Sequence, residues 1–287
     1  MAKAKRDIEQ EVTDKIIAQL EKGTAPWQKG WAASGVGTPR RFTGQPYKGI
    51  NVLILAMQGR SHDTWMTYRQ AAELGGQVRG GEAATTVVLF KPVKTTDKAT
   101  GEEKTFSVLR TFNVFCADQI DNLPAKYQPA PVAVVNPDEQ LAAVDAYISA
   151  TLADIRYGGA RAYYSPSQDF IQLPEYDQFH TSADFYGTAL HELVHWTGAD
   201  SRLRRDLKVN GTKDYAKEEL TAELGAAFLC AHLGVTGEPR ADHASYIESW
   251  LSALKGDKKF VFRSAALAQK AVDFLDDLQT LELEQAA

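Results

Sequence analysis

The segment His191-Glu192-Leu193-Val194-His195 is the feature that most constrains this chain. On an α-helix, residues four apart lie one turn apart on the same face, so both imidazoles can bind one metal ion. Glu192 lies beside them and is suited to take a proton from a water molecule at that metal. We therefore predict His191 and His195 as ligands of zinc, or of another divalent metal, and Glu192 as the catalytic base.

The flanks of this segment predict the helix that such a site requires. Thr181 offers an N-cap with an acid, Asp184, three residues later, and Gly198 offers a C-cap. Apolar residues recur between these caps at helical spacing. We predict a helix over 181–197.

A zinc site needs a third protein ligand, and the next predicted helix supplies acids at the right spacing. Glu219 and Glu223 lie one turn apart, beside an apolar stripe. We predict Glu219 as the third ligand and Glu223 as its neighbour, orienting a histidine. The alternative is a solvated acidic face. The rival third ligands are Asp200, His232 and His243.

Composition narrows the class of protein. The 287 residues are 44% hydrophobic and 24% charged, which excludes a disordered chain, a fibrous repeat and a disulfide scaffold. No apolar window is long enough to span a membrane, and the first residues do not form a secretory signal. Cys116 and Cys230 lie far apart, so we expect reduced thiols in a cytoplasmic protein.

The pattern of elements predicts an α+β protein of two domains. A small α+β domain over 1–125 has helices at 8–20, 50–58 and 67–74, and strands at 85–90 and 106–115 joined by a polar hairpin loop. Four prolines between 124 and 137 indicate a linker. The domain over 138–287 is mostly helical, with a short strand pair and helices at 137–152, 181–197, 214–233, 240–255 and 260–283.

The strand pair is predicted at 160–164 and 169–173. The second strand has two interpretations: an edge that pairs with an extended peptide beside the metal, or a core strand.

Charge and aromatic residues favour nucleic acid as a partner of the first half. Residues 1–128 carry a net charge of +5 and the remainder −10. Single-strand binders combine cations with aromatic faces on which bases stack. The candidate residues are Trp27, Lys29, Trp31, Arg40, Arg41, Phe42, Tyr47 and Lys48, with Arg69, Arg79 and Arg110 further on. The alternative is that Trp27, Phe42 and Tyr47 are core residues of a small domain.

Longer motifs extend over nearly the whole chain. In the first half they are PW at 26–27, TGQPYKGIN at 43–51, TYRQA at 67–71, GGE at 80–82, TTVV at 85–88 and FNVF at 112–115. In the second half they are YGTALHELVHWTG at 186–198, SRL at 201–203 and YAKEELTAE at 215–223. With these motifs the chain resembles antirestriction proteins of the ArdC type, encoded on conjugative plasmids and other mobile elements. Its first half also resembles the N-terminal domain of certain plasmid-borne primases.

The resemblance implies a single-stranded DNA-binding domain followed by a zincin-like domain. It also implies a role in protecting DNA that enters a new host from restriction endonucleases. One departure is visible: relatives often carry a histidine directly after the Thr-Gly pair, where this chain has Ala199.

Three hypotheses about function follow. The first is a protective single-stranded DNA-binding protein whose metal site could also have peptidase activity. The second is a metallopeptidase acting on a host protein, with the first domain as its recognition module. The third is a binding protein with a structural metal site, which the intact Glu192 disfavours.

Overall fold

The computed structural model describes residues 6–27, 36–96, 103–128, 137–207, 213–235 and 244–285. The helices in these ranges are α1 (Ile8–Leu20), α2 (Ile50–Ala56), α3 (Tyr68–Glu73), α4 (Pro137–Ser149), α5 (Ser182–Trp196), α6 (Lys213–Leu233), α7 (Ala244–Gly256) and α8 (Phe260–Gln285). The strands are β1 (Arg40–Arg41), β2 (Thr64–Met66), β3 (Gln77–Val78), β4 (Thr85–Thr96), β5 (Glu103–Cys116), β6 (Ile120–Asp121), β7 (Asp154–Tyr157), β8 (Tyr163–Ser165) and β9 (Phe170–Leu173). The mixed α+β class is therefore confirmed.

The described chain divides into two compact units. We call residues 1–38, 48–59 and 132–287 the helical unit, and residues 39–47 and 60–131 the ribbon unit. The proline-rich stretch does lie where the ribbon unit ends. However, the early segments 1–38 and 48–59 belong to the helical unit, so these units differ from the predicted division into 1–125 and 138–287.

Contacts within the helical unit explain this difference. The Thr13 hydroxyl of α1 donates to the Lys258 carbonyl at 2.8 Å, and the Gly49 amide, just before α2, donates to the Gln269 side chain of α8 at 2.8 Å. The apolar residues that recur every four positions along α1, namely Ile8, Val12, Ile16 and Leu20, are buried. Periodicity identifies such a helix and its buried face, but it does not identify the distant segment that covers that face.

The ribbon unit is built on a four-stranded sheet in the order β1-β2-β5-β4, beside a small β3-β6 pair. Strand β4 pairs antiparallel with β5 along its whole length, from Thr85 opposite Val114 to Thr96 opposite Glu103. The sequence predicts a polar loop over 91–105, but residues 91–96 and 103–105 of that range belong to the two strands, so this prediction is wrong there. The predicted strands at 85–90 and 106–115 lie within β4 and β5. Their extensions could not be predicted, because a two-stranded ribbon with exposed faces needs no apolar face and its threonines and lysines give no strand pattern.

The helical unit contains a three-stranded sheet in the order β7-β9-β8. The second strand of the predicted pair corresponds to β9, which pairs parallel with β7 and antiparallel with β8. Because both sides of β9 are paired, its interpretation as a peptide-binding edge is wrong, and it is a core strand. Strand β7 was not predicted.

Helices α5 and α6 approach each other closely at Gly225. A Cβ atom on Gly225 would lie 2.8 Å from Val194 Cγ2, closer than real side chains pack. The glycine therefore sets the distance between the helix that carries the two histidines and the helix that carries the acids.

Neither of the two cysteines is in a disulfide, as expected. In the described ranges, no helix is both long and apolar enough to cross a membrane.

Candidate functional site

The helix that carries the two histidines begins at a capping box, as predicted. The Thr181 hydroxyl accepts the Asp184 amide at 3.1 Å, and the Asp184 carboxylate accepts the Thr181 amide at 3.1 Å. These bonds satisfy backbone donors that a helix start leaves unpaired. Helix α5 then runs to Trp196, so His191 and His195 lie one turn apart on one face.

Three predicted ligand residues converge. His191 Nε2 lies 3.1 Å from His195 Nε2. Glu219 of α6 approaches both rings, with Oε2 at 3.7 Å from His191 Nε2 and Oε1 at 3.6 Å from His195 Nε2. A tetrahedral zinc ion with bonds of about 2.0–2.1 Å separates its ligand atoms by about 3.3 Å. The three side chains therefore fit one divalent cation.

Buried charge at this site also favours a cation. The carboxylates of Glu192, Glu218, Glu219 and Glu223 are all buried. Among the described residues, Arg205 is the buried cation that pairs with this group. Buried carboxylates are costly unless a positive charge or donors offset them. Two imidazoles and a carboxylate are a donor set suited to zinc and to other divalent first-row metals.

Glu223 lies beside the first histidine, as predicted for a neighbour of the ligands. Its Oε1 is 3.2 Å from His191 Nδ1, the ring nitrogen that faces away from the converging ligand atoms. The two atoms are within ion-pair distance but not aligned as a hydrogen bond. A carboxylate in this place favours the orientation in which His191 Nε2 faces Glu219.

Glu218 is a site residue that the sequence analysis did not identify. Its Oε1 lies 3.1 Å from His195 Nδ1, and Arg205 donates to both of its carboxylate oxygens, with Nε at 3.0 Å and Nη2 at 2.9 Å. Arg205 also donates to the Thr197 hydroxyl at 2.7 Å. The hydrogen bonds of Glu218 with His195 and with Arg205 thus fix the imidazole ring of His195 and connect it to the end of α5.

The contacts of His195 and Glu218 shift the pKa values of both side chains. Burial alone would lower the pKa of His195, but the hydrogen bond with Glu218 and the charge of Glu219 raise it to about 9. Burial alone would raise the pKa of Glu218, but its bonds with His195 and Arg205 hold it below its ordinary value. A ligand histidine usually needs a partner for its second nitrogen, which is the one sequence-level reason to look for Glu218.

Tyr215 also reaches the site. It lies one turn before Glu219 on α6 and makes a side-chain hydrogen bond with that carboxylate. Its hydroxyl is 3.2 Å from the Tyr246 hydroxyl of α7. Burial is the main reason that the pKa of Tyr215 is raised, so its hydroxyl keeps its proton.

The rival ligands do not join the described group. The cluster that could hold a metal among the described residues consists of His191, His195 and Glu219. Asp200 and His232 are exposed and lie outside it. His243 lies outside the described residues.

The aromatic residues predicted to stack on bases are only partly accessible. Trp27 is 2% exposed, and its ring meets Trp250 edge-on at 5.3 Å. Tyr47 is 8% exposed, and Phe42 packs against the core of the ribbon unit. The expectation that Trp27 and Tyr47 offer stacking faces is therefore wrong in this structure, since burial leaves no face for a base.

The predicted cations are more exposed, but several are paired. The ion pairs are Arg40 with Asp63, Lys48 with Asp273, Arg69 with Glu73, and Arg79 with both Asp121 and Glu82. Arg41 lies over the Tyr47 ring at 5.5 Å. Arg110 is exposed on β5. Lys29 and Trp31 lie outside the described residues. The structure does not bring this predicted set together in one unit, because Trp27 and Lys48 belong to the helical unit.

Known proteins match both halves of the chain. A family model described as the N-terminal domain of anti-restriction factor ArdC matches residues 6–115, and one described as zincin-like metallopeptidase matches residues 142–267.

Solved structures extend the likeness to almost the whole chain. The metal-free crystal structure of the antirestriction ArdC protein from plasmid R388 is 44% identical, with a TM-score of 0.81, over 95% of this chain and 98% of that one. Its Mn(II)-bound structure is 42% identical, with a TM-score of 0.78 and the same coverage. A DNA primase, TraC, from Escherichia coli is 39% identical over 99% of this chain, which spans 28% of the primase's length.

Proposed function

The chain belongs to the ArdC family of antirestriction proteins, and from this premise we propose that it binds single-stranded DNA and protects incoming DNA from host restriction endonucleases. The observation that carries the proposal is the likeness to the R388 ArdC protein, which covers 95% of this chain and 98% of that one. The bound protein would cover the single strand and keep it from forming a duplex. An endonuclease that cuts duplex DNA would then have no substrate. The protein would act in the cytoplasm, where such DNA arrives.

Binding to oligonucleotides tests the proposal directly. The full chain is titrated against a fluorescently labelled 30-nucleotide single strand and against the matched duplex. We expect tighter binding to the single strand, with little dependence on base sequence. The affinity should fall with salt at a slope of about −0.7 per phosphate neutralised. Equal affinity for the duplex, or no binding at low salt, would contradict the proposal.

We further propose that His191, His195 and Glu219 hold a divalent metal, with zinc as the first candidate. The convergence of two ring nitrogens and a carboxylate supports this, as does the Mn(II)-bound form of the R388 protein. A metal ion bound there would supply Lewis acidity. Glu223 and Glu218 would hold the two rings in orientation, and the Glu192 carboxylate would accept a proton from water.

A metallopeptidase acting on a host protein is the second candidate function. The observation that favours it is Glu192, a buried carboxylate next to a ligand histidine, because metal binding alone needs no such base. The test compares the wild-type protein with Glu192→Gln for cleavage of host-cell protein extracts in the presence of zinc. Cleavage by the wild type and none by Glu192→Gln would support a peptidase, whereas equal patterns would contradict it.

A further inference from the structure

One face of the β4–β5 ribbon combines exposed aromatic rings with exposed cations. Alternate residues of a strand share a face, and so do directly paired residues of neighbouring strands. The register places Phe106 opposite Val93 and Phe112 opposite Val87 on one face, which we call the Phe106 face. Phe106 is 49% exposed and Phe112 is 45% exposed. Both rings therefore leave much of their surface open to a ligand.

Two cations lie between these rings. Lys91 is opposite Val108, and Arg110 is opposite Leu89. Four successive residue pairs along the Phe106 face therefore contain, in order, Phe106, Lys91, Arg110 and Phe112. Both cations are exposed. Within the described ranges, neither of them forms an ion pair. None of the twelve paired positions on this face is acidic.

The opposite face differs in charge. It carries Phe90, which is 44% exposed, and Lys94, which lies 3.7 Å from Glu103 across the ribbon. The lysine of this face therefore has an acid beside it, and the face carries one exposed phenylalanine. The two faces of the same ribbon thus provide a matched comparison.

We propose that the Phe106 face binds single-stranded DNA, with bases stacked on Phe106 and Phe112 and with phosphates held by Lys91 and Arg110. The two rings are six residues apart on β5, or about 20 Å. Aromatic faces and cations on one strip are the combination that sequence-tolerant single-strand binding requires. The assignment rests on the proposed function and locates its surface.

Stacking is tested by variants that separate aromatic from apolar character. We expect Phe106→Leu/Phe112→Leu to weaken binding of the full chain to a labelled 30-nucleotide strand at least about 30-fold. Phe106→Tyr/Phe112→Tyr should stay within about threefold of the wild type, because tyrosine keeps a stacking ring. Thermal unfolding of each variant shows whether it is folded.

Phosphate contact is tested by salt dependence. Lys91→Gln/Arg110→Gln should reduce the slope of log affinity against log salt by about 1.4, which is about 0.7 per cation. The control on the opposite face, Phe90→Leu/Lys94→Gln, should leave the affinity within about twofold of the wild type and the salt slope unchanged.

The outcomes separate this assignment from the proposed function. If the wild-type protein binds the strand and the leucine pair binds equally well, the Phe106 face is not the surface, while the proposed function stands. If the control pair loses as much affinity as the leucine pair, the assignment to one face is overturned. If the wild-type protein binds no single strand, the proposed function itself fails.

Discussion

Replacing Glu218 with glutamine should weaken both the fold of the helical unit and its metal site. Arg205, only 4% exposed at its side chain, donates to both oxygens of the Glu218 carboxylate. Glutamine keeps one acceptor but turns an amide donor toward the guanidinium, so a buried positive charge loses its counter-ion. Breaking a buried pair on one side costs about 3–5 kcal/mol. Because one hydrogen bond survives, we expect about 3 kcal/mol.

The same substitution removes the partner of a ligand histidine. Glu218 lies 3.1 Å from His195 Nδ1, and loss of such a partner typically lowers metal affinity by about 10–100-fold. Urea unfolding in the presence of a chelator measures the loss of stability in the metal-free protein. Competition with a chelating dye measures zinc affinity.

Two controls isolate the buried pair. Glu248→Gln changes an exposed glutamate of α7 and should leave stability and zinc affinity unaltered. The double variant Glu218→Gln/Arg205→Met should be less destabilised than the sum of its single variants, because it leaves no buried charge unpaired. A loss below about 1 kcal/mol for Glu218→Gln, with unaltered zinc affinity, would refute the role assigned to Glu218.

Three further predictions concern the packing of α5 on α6, the metal ligands and one ion pair. Gly225→Ala should destabilise the protein by about 1–3 kcal/mol in urea unfolding and weaken zinc binding, because the added methyl group meets a stiff valine of α5 at 2.8 Å; unchanged values would contradict this. His191→Ala should lose its metal in elemental analysis while Glu192→Gln keeps one ion per chain, and full metal in the alanine variant would exclude the site. The hydrogen bond from Arg202 lowers the pKa of the Asp169 carboxylate in the folded protein. The ionised carboxylate therefore stabilises the fold at pH values above its ordinary pKa, and this stabilisation is lost as the pH falls through the lower pKa of the folded state. The gap in Tm between the wild type and Asp169→Asn should therefore be full at neutral pH and close below about pH 4; a gap independent of pH would contradict it.

The part of the site that the sequence predicts is the part set by local spacing. His191 and His195 are four residues apart between a capping box and a glycine, so the helix alone aligns them. Glu219 could be predicted because a third ligand is required and few acids lie beside an apolar stripe. Glu218 and Arg205 could not, because their roles depend on how α6 docks and on where the turn after α5 places a guanidinium.

The residues predicted to bind DNA show what sequence patterns cannot determine. A segment that mixes aromatic and cationic residues does not reveal which rings are buried. It predicts a surface position for Trp27, whose ring instead packs against Trp250. The inner part of the ribbon is predicted, as strands at 85–90 and 106–115, but its outer part is not, because residues 91–96 and 103–105 are mostly polar and Pro92 interrupts the pattern. Pro92 lies on β4, at the edge of the sheet, where a missing donor is tolerated.

Transfer of an unmodified plasmid into a restricting host tests most directly whether protection depends on covering DNA or on cutting a protein. Transfer frequency is measured with the wild-type protein, with Glu192→Gln and with no protein, after Glu192→Gln has been shown to bind metal and single-stranded DNA as the wild type does. Covering of the strand predicts that the wild type and Glu192→Gln raise transfer equally. A Glu192→Gln protein that binds metal and DNA normally yet gives no protection would contradict this account.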